Sequence, residues 1–291
     1  MIKNYQIRFA LANDKQEIAN LMFFEKHVHR HLDWRNPTDW LDSPFYWVLE
    51  RNSHIMAALA CPKEKNEEAW LRFFTHKENL TTQEAWDALW GKAKEDLEKK
   101  GKIKISAITV KGWMESLLRQ SGFQNEEQIL IMSWEGEKPP SWSQPKGIRF
   151  RKMTEVDLPW VVDVDADAFM PLWHNPLSVL QQAYSEAVSA TVAESEEGIV
   201  GYQISTYSPF GAHLARLAVR AKMQRQGIAS ALIGDLIEKV LAKEITQISV
   251  NTQSKNEHSI ALYEKSGFKR TEEEYPIYSF QIAGRDQEKD I

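Results

Sequence analysis

The chain has 291 residues, a hydrophobic fraction of 43%, and a formal net charge of -5 from 36 Lys+Arg against 41 Asp+Glu. At about 150 residues per domain, this length predicts two domains, and the composition is sufficient for an ordinary core in each. The acidic balance argues against a general nucleic-acid binder, because phosphate contacts need a basic surface.

Membrane insertion and disulfide bonding are not expected either. No apolar run approaches the roughly 20 residues that span a bilayer, and the N-terminal residues lack the apolar segment of a secretory signal. The single cysteine, Cys61, excludes an intramolecular disulfide and a cysteine-based metal cage. We therefore expect a soluble cytoplasmic protein, monomeric or homodimeric, with neither nucleic acid nor a membrane as partner.

The first half begins with a histidine-rich segment, followed by a helix and a strand. On a helix only the first and last histidines of residues 27–31 would share a face, so we expect no metal site there. Thr81 and Glu84 have the spacing of a capping box. The helix after them would bury one face, formed by Trp86, Leu89, Trp90, Ala93 and Leu97. Residues 102–110 predict a strand.

Residues 135–147 hold three prolines and no apolar periodicity, which predicts a linker. The predicted domains are therefore residues 1–134 and residues 148–291.

Short sequences recur on both sides of this linker. Ile7-Arg8-Phe9 returns at an offset of 148 − 7 = 141, and Ser121-Gly122-Phe123 returns at an offset of 266 − 121 = 145. Each Ser-Gly-Phe closes a helix-like stretch, where glycine is a typical C-cap. Two matches in the same order predict two copies of one fold.

The second half alternates strands and helices, which predicts an α/β (α+β) domain with an antiparallel start and one β-α-β crossover. Strands are predicted at residues 190–194, 199–207, 212–219, 245–252 and 276–282. Helices are predicted at residues 227–243 and 257–266.

The loop before the first of these helices has the pattern Gln224-x-x-Gly227-x-Ala229. Its glycine allows close approach of the backbone to a ligand. The first amides of a helix lack internal partners and lie at the positive end of its dipole, which suits a pyrophosphate. Positive charge comes from Arg220, Lys222 and Arg225. Taken alone, the pattern also fits an ordinary strand-loop-helix turn.

A second block follows the next strand. Asn256 precedes Tyr263 by seven residues, and Tyr263 stands in Leu262-Tyr263-Glu264-Lys265-Ser266-Gly267-Phe268. In this order the two blocks resemble the GNAT superfamily of N-acetyltransferases. The resemblance implies two tandem GNAT-like domains, each a mixed, mostly antiparallel sheet flanked by helices. It also implies acetyl-CoA as co-substrate. We expect no metal cofactor.

The resemblance implies roles for individual residues. The splayed strand that pairs with the pantetheine arm and polarises the thioester carbonyl would comprise Leu217, Ala218 and Val219. The pyrophosphate cradle would comprise Gln224, Arg225, Gln226, Gly227, Ile228, Ala229 and Ser230. Asn256 would bind the cofactor arm, and Tyr263 would protonate the departing thiolate. The alternative for Tyr263 is an aromatic packed on the sheet. Two departures, Ala221 for a common proline and Arg225 for a common glycine, remove no needed amide.

The base and the acceptor are less specified. His213 stands four residues before Leu217, where many GNAT enzymes have a glutamate, and histidine is a competent base near neutrality. The alternative is a strand-edge histidine facing water. Deprotonating an α-amine at pH 7 costs roughly 1.4 kcal/mol against roughly 4.6 for an alkylamine, so histidine favours an easily deprotonated amine.

On the acceptor side, residues 165–173 resemble GNAT enzymes that acetylate protein N-termini. Candidate substrate residues, alternatively surface or core aromatics, are Trp173, His174 and Tyr207.

In the first half, the positions 145 residues before the motif positions have changed. They hold Asn79, Thr82, Glu84, Lys111 and Leu118. A glutamate in the cradle would repel a diphosphate, so we expect the first domain to keep the fold without binding the cofactor.

The predicted function is an acetyl-CoA-dependent N-acetyltransferase acting on a primary amine of a small molecule or peptide. The alternatives are a non-catalytic acyl-CoA sensor or regulatory module and a nucleotide-binding regulator.

Overall fold

The computed structural model describes residues 5–41, 43–63, 67–139 and 141–284. The outer ends of the predicted domains, residues 1–4 and 285–291, and residue 140 of the predicted linker lie outside this description. The chain forms two compact units, the first from residues 1–127 and 275–291 and the second from residues 128–274. Among the described residues, no helix is both long enough and apolar enough to cross a membrane.

The first unit contains a five-stranded antiparallel sheet and three further paired strand segments. Its strands are β1 (Gln6–Phe9), β2 (Val28–Arg30), β3 (Tyr46–Arg51), β4 (His54–Ala60), β5 (Glu68–Trp70), β6 (Phe73–His76) and β7 (Ile103–Ile108). Its helices are α1 (Lys15–Phe24), α2 (Thr82–Glu98) and α3 (Gly112–Gln120). The antiparallel sheet has the order β1-β3-β4-β6-β2. Strand β7 pairs in parallel with β5 and antiparallel with residues 277–282.

The start of α2 confirms the predicted capping box. The Thr81 hydroxyl accepts a hydrogen bond from the Glu84 amide at 3.2 Å, and the Glu84 carboxylate accepts one from the Thr81 amide at 3.2 Å. The predicted apolar face of α2 is buried in a core cluster that also holds residues of α3. Local capping and a 3.6-residue apolar period together define this helix.

The second unit is built on one mixed sheet with helices on both faces. The remaining strands are β8 (Gln124–Glu135), β9 (Arg149–Lys152), β10 (Ala187–Ser195), β11 (Gly198–Ser208), β12 (Gly211–Val219), β13 (Gln247–Gln253) and β14 (Lys269–Ile282). The remaining helices are α4 (Leu158–Ala168), α5 (Leu177–Ser185), α6 (Ile228–Leu241) and α7 (Glu257–Lys265). The predicted alternation of strands and helices, and the mixed α/β class, are confirmed.

The sheet of the second unit runs in the order β9-β10-β11-β12-β13, followed by residues 129–135 of β8. All of these pairs are antiparallel except β12 with β13, which is parallel. A Cβ at Gly201 would lie 3.4 Å from Ile228 of α6, whereas the Tyr202 hydroxyl donates to Asp165 of α4 at 2.6 Å. Adjacent residues of a strand point to opposite faces, so α6 and α4 cover opposite sides of the sheet.

The internal repeat has a structural counterpart in both units. Gly122 and Gly267 adopt φ values of 87° and 89° at the ends of α3 and α7. The next amide donates back to the helix at 3.0 Å in each case, from Phe123 to Leu118 and from Phe268 to Tyr263. Both helices therefore end in the same glycine-capped turn, as the repeated Ser-Gly-Phe sequence predicts.

The compact units differ from the predicted segments 1–134 and 148–291. Residues 129–135 pair with β13, and residues 277–282 pair with β7. Each unit thus includes a final strand from the other half of the sequence. The predicted linker also packs within the second unit, because the Trp142 indole lies against Gly234 of α6 and donates to Glu238 at 2.9 Å.

Candidate functional site

A bulge divides β12 into a part paired on both sides and a part with one open edge. Strand β12 pairs in parallel with β13 only over Ala212, His213 and Leu214. Its pairing with β11 shifts register between Ile204 and Ser205, which leaves Ala215 as the extra residue. Beyond the bulge, residues 217–219 stay paired with β11, and no described strand covers their other edge. These are the three residues predicted to pair with a pantetheine arm.

The loop after β12 presents the backbone of the next helix to solvent. Arg225 and Gly227 have φ values of 60° and 83°, in the left-handed region. Gly227 is the N-cap of α6 and has no side-chain cap, and the Ala231 amide donates to its carbonyl at 3.0 Å. The amides before Ala231 lack intrahelical acceptors, so this turn is a concavity of N–H donors suited to an anion.

Hydrogen bonds from side chains and from one backbone amide hold this loop in place. Gln224 donates to the Val219 carbonyl at 3.0 Å, and the Ala221 amide donates to Asp167 at 2.7 Å. Gln226 donates to the Lys222 carbonyl at 3.4 Å. A cradle role for these residues would thus use backbone amides and not the glutamine side chains. Ile228 is buried, whereas Ala229 and Ser230 are half-buried at the helix start.

Asn256 and Tyr263 lie at the start and in the last turn of α7. The Asn256 carbonyl oxygen caps the helix by accepting from the Ser259 amide at 3.1 Å, which leaves its NH₂ group for a ligand. Tyr263 is 7% exposed and packs on Phe268 with ring centroids 5.7 Å apart. Within the described residues, its hydroxyl makes no hydrogen bond. Tyr263 is therefore both a core aromatic and a donor without a fixed partner.

The pKa of Tyr263 responds to two opposing influences. Burial raises the pKa of the phenol above its ordinary value, while the positive charge of Arg216 acts to lower it. Burial dominates, so the hydroxyl stays protonated at neutral pH, as a general acid requires.

His213 occupies the doubly paired part of β12. Its Nδ1 lies 2.9 Å from the Ser249 hydroxyl on β13, the residue directly opposite in the register. Burial lowers the pKa of the His213 imidazole below its ordinary value. The ring is thus largely neutral near pH 7 and able to accept a proton.

The predicted acceptor residues separate into two places. Trp173 and His174 are half-buried in the loop between α4 and α5, where the His174 Nε2 lies 2.8 Å from the Phe169 carbonyl oxygen. Tyr207 is 67% exposed near the β11–β12 hairpin, opposite Ala212. The structure brings Trp173 and His174 together, and none of the described contacts joins Tyr207 to them.

Arg216, which the sequence interpretation omitted, lies at the centre of the face that α4 covers. Its Nε and Nη2 donate to the two oxygens of Asp165 at 2.7 and 2.9 Å, and Nη2 also donates to the Trp173 carbonyl at 2.5 Å. The guanidinium stacks 3.5 Å from the centroid of Phe169. The ion-pair partners are 51 residues apart in sequence, so no local pattern signals the contact.

The first unit repeats this strand arrangement with its open edge filled. Trp70 pairs with Ser106 as Leu214 pairs with Val250, and both residues differ by 144 (214 − 70 and 250 − 106). By the same offset, β6 residues 73–75 match residues 217–219. Strand β2 pairs with those β6 residues. The chain's own backbone therefore lies where the second unit has a free strand edge.

The corresponding helix start is closed as well. The N-caps of α2 and α6 are Thr81 and Gly227, so Gly227 matches Thr81 and not Thr82 as the sequence offset predicts. Glu84 then matches Ser230, and its carboxylate binds the cap of its own helix. The Thr81 amide, which matches the Gly227 amide of α6, therefore binds a side chain of its own helix and is not open to an external anion.

The histidine-rich segment of residues 27–31 contains strand β2, so the helix assumed for it from the sequence is wrong. The ring of His27 stacks on His76 at 5.3 Å, and His29 lies buried with its Nε2 3.2 Å from the Leu71 carbonyl oxygen. Across the described ranges, no group of three or more potential ligands could hold a metal ion.

Comparison with known proteins identifies the fold. Residues 158–268 match the family model described as Acetyltransferase (GNAT) family. A GCN5-related N-acetyltransferase from Sphaerobacter thermophilus is 14% identical, with 97% of each chain covered and a TM-score of 0.62. A tandem GNAT protein from the clavulanic acid biosynthesis pathway is 14% identical over 97% of this chain and 100% of that chain, with a TM-score of 0.63.

A third solved structure is a conserved protein of unknown function from Enterococcus faecalis V583, a probable N-acyltransferase. It is 10% identical over 96% of this chain and 72% of that chain, with a TM-score of 0.73. At these identities the likeness shows the fold alone, and it confirms the tandem arrangement that the sequence predicts. Residues 158–268 thus match the model of the GNAT acetyltransferase family, and nearly the whole chain is similar in fold to a tandem GNAT protein.

Proposed function

We propose that the second unit transfers an acetyl group from acetyl-CoA to a primary amine of a small molecule or peptide, by direct attack of the amine. The observation that carries this proposal is the free edge of β12 at residues 217–219, continuous with the uncapped helix start at Gly227. The pantetheine arm of acetyl-CoA carries amide groups, which can pair with an extended strand edge. Its diphosphate can bind to the concavity of backbone amides that follows this edge.

The chain's residues fit acetyl-CoA at three places. The backbone of residues 217–219 would hold the pantetheine arm, and the amides from Arg225 to Ser230 would hold the diphosphate. The NH₂ group of Asn256 would bind the arm from the other side. When bound, acetyl-CoA supplies a thioester whose carbonyl carbon is the electrophile. An amide of the open edge would donate to that carbonyl oxygen, a contact typically worth about 100- to 1000-fold in rate.

Two side chains would move the protons. His213 would accept one from the attacking amine, because its imidazole is largely neutral near pH 7. The Tyr263 hydroxyl would give one to the departing sulfur, because burial keeps it protonated. The free hydroxyl of Tyr263 favours an enzyme over the sensor, since a module that only binds acyl-CoA needs no proton donor.

The test combines binding with turnover. Acetyl-CoA is titrated calorimetrically, and CoA release is followed with glycinamide, n-butylamine, spermidine and a short peptide with a free N-terminus. Gly227→Ala is expected to weaken binding, because φ of 83° costs a non-glycine residue about 1–2 kcal/mol. Binding without acetylation of any amine would instead support the sensor. Absence of binding would overturn both.

A further inference from the structure

The loop of residues 169–175, between α4 and α5, contains a short 3-10 turn at Pro171–Trp173. Within the loop, the Trp173 amide donates to the Met170 carbonyl at 2.8 Å, and the His174 Nε2 lies 2.8 Å from the Phe169 carbonyl oxygen. A buried carboxylate and a buried guanidinium on neighbouring elements also bind the loop. The Asn175 amide donates to Asp165 at 2.8 Å, and the Trp173 carbonyl accepts from Arg216 at 2.5 Å.

Those two groups form one buried cluster. Asp165 is fully buried and accepts four hydrogen bonds: two from Arg216, one from Tyr202 at 2.6 Å and one from Asn175. Arg216 is 12% exposed and also stacks on Phe169, at the start of the same loop. A bidentate pair with each carboxylate oxygen satisfied is rigid, since every alternative leaves a buried charge without a partner.

Arg216 connects this loop to the proposed site of chemistry. It follows the Ala215 bulge and directly precedes the open edge at residues 217–219. The acceptor loop and the strand edge therefore meet at one side chain.

The first unit keeps an ion-paired arginine at the matching strand position, with a carboxylate that follows β2 and is not on the helix. Arg72, which matches Arg216 by the offset of 144 (216 − 72), forms an ion pair with Asp33. Its guanidinium lies 5.3 Å from the centroid of Trp40, an aromatic residue beyond β2. Tyr263 is matched there by Leu118, and the open edge is filled by β2. An ion-paired arginine at this position is therefore present also where the matching strand edge is filled.

Resting on the proposed function, we infer that Arg216 is a positioning residue for the acceptor: together with Asp165 it fixes the loop of residues 169–175 beside the open edge of β12, and the fixed loop determines where the amine binds. The Nε and Nη2 of Arg216 donate to Asp165 and Trp173, so the inferred role of Arg216 is to hold the loop and not to bind the amine. The ion pair of Arg216 and Asp165 would thus set the affinity for the acceptor amine. It would take no part in acetyl-CoA binding or in proton transfer.

The experiment compares Arg216→Gln and Arg216→Lys with the matched Arg72→Gln of the first unit. Amide hydrogen exchange over residues 169–175 measures the loop without any acceptor. Calorimetry measures acetyl-CoA binding, and kcat and KM are measured with the best amine of the panel. We expect Arg216→Gln to speed loop exchange and to raise the acceptor KM at least about tenfold, with kcat and acetyl-CoA affinity within about twofold.

Arg216→Lys should recover part of the KM, because it keeps the charge but cannot bridge Asp165 and Trp173 together. Arg72→Gln should leave exchange in residues 169–175 and the acceptor KM unchanged. If Arg216→Gln does not fold, Tyr202→Phe removes one of the four bonds to Asp165 and should shift exchange and KM in the same direction by about threefold.

The inference is overturned if loop exchange stays unchanged in Arg216→Gln, or if acetyl-CoA affinity falls as much as acceptor affinity. An equal rise of KM in Arg72→Gln would also overturn it, since that result would indicate general destabilisation. A protein that acetylates amines normally in Arg216→Gln retains the proposed function and loses this inference. A protein that acetylates no amine loses both.

Discussion

The hydroxyl of Tyr263 is kept protonated by burial and has no hydrogen-bond partner among the described residues. We predict that Tyr263→Phe lowers kcat about 100-fold or more, the usual contribution of a general acid, with acetyl-CoA affinity unchanged. Single-turnover acetylation and calorimetric titration of acetyl-CoA measure the two quantities separately. A variant with normal kcat would reduce Tyr263 to the core aromatic that the sequence also allowed.

The imidazole of His213 should be visible in the pH dependence of acetylation. Burial lowers its pKa below 6.5, so the neutral, proton-accepting form is retained at neutral pH and lost as the pH falls through that lowered pKa. We predict a profile of kcat that rises with pH along an acid limb whose midpoint lies below the ordinary imidazole pKa of 6.5. In His213→Gln this acid limb should disappear together with most of the activity. An unchanged limb in that variant would assign the titration to another group.

Single-residue predictions from the sequence succeeded in placement where the residue belongs to a continuous motif. Gly227, Asn256 and Tyr263 lie on the elements that their spacing predicts, because a loop and two helix ends are local structures. Arg216 was missed because its meaning depends on Asp165, 51 residues away and on another element. The roles of the placed residues stay predictions until the variants above are measured.

At the scale of elements, two short structures distinguish the first unit from the proposed cofactor-binding unit. Strand β2 covers the edge of β6, and the capping box of Thr81 and Glu84 closes the start of α2. We predict that acetyl-CoA binds with a stoichiometry of one per chain. Gly227→Ala should weaken that single event, whereas the matched Thr81→Ala should leave it unchanged while costing about 1 kcal/mol of stability. Calorimetry reports both, and a stoichiometry near two would contradict the prediction.

The long elements could be predicted from periodicity and caps, and the short ones could not. Helix α6 spans Ile228–Leu241 where the apolar face predicts residues 227–243, and β11 spans Gly198–Ser208 where alternation predicts 199–207. Strand β2 has three residues, too few for either period to be measured. Residues 27–31 were therefore treated as a helix, whereas residues 28–30 form a strand that pairs with the edge of β6.

At the scale of the whole molecule, the halves of the sequence and the compact units do not coincide. A linker is recognised by composition, and residues 135–147 have the composition of one. Strand pairing between distant segments leaves no mark in composition, so the placement of residues 129–135 beside β13 could not be predicted. The consequence is measurable, because the two divisions give different fragments.

We predict that a fragment of residues 128–274 is more stable than a fragment of residues 148–291. The second fragment lacks the strand that pairs with β13 and loses Met132 and Trp134, which are 0% and 4% exposed in the core cluster beneath α6. Removing one large buried aromatic side chain typically costs about 3–5 kcal/mol, and an uncovered strand edge adds a tendency to aggregate. Denaturant unfolding of both fragments measures the difference in free energy of unfolding. Trp134→Ala in the fragment of residues 128–274 is the matched control and should reproduce most of the loss in free energy of unfolding. Equal stabilities would mean that residues 128–135 add nothing to the second unit, and the predicted boundary at residue 148 would then describe the folding unit correctly.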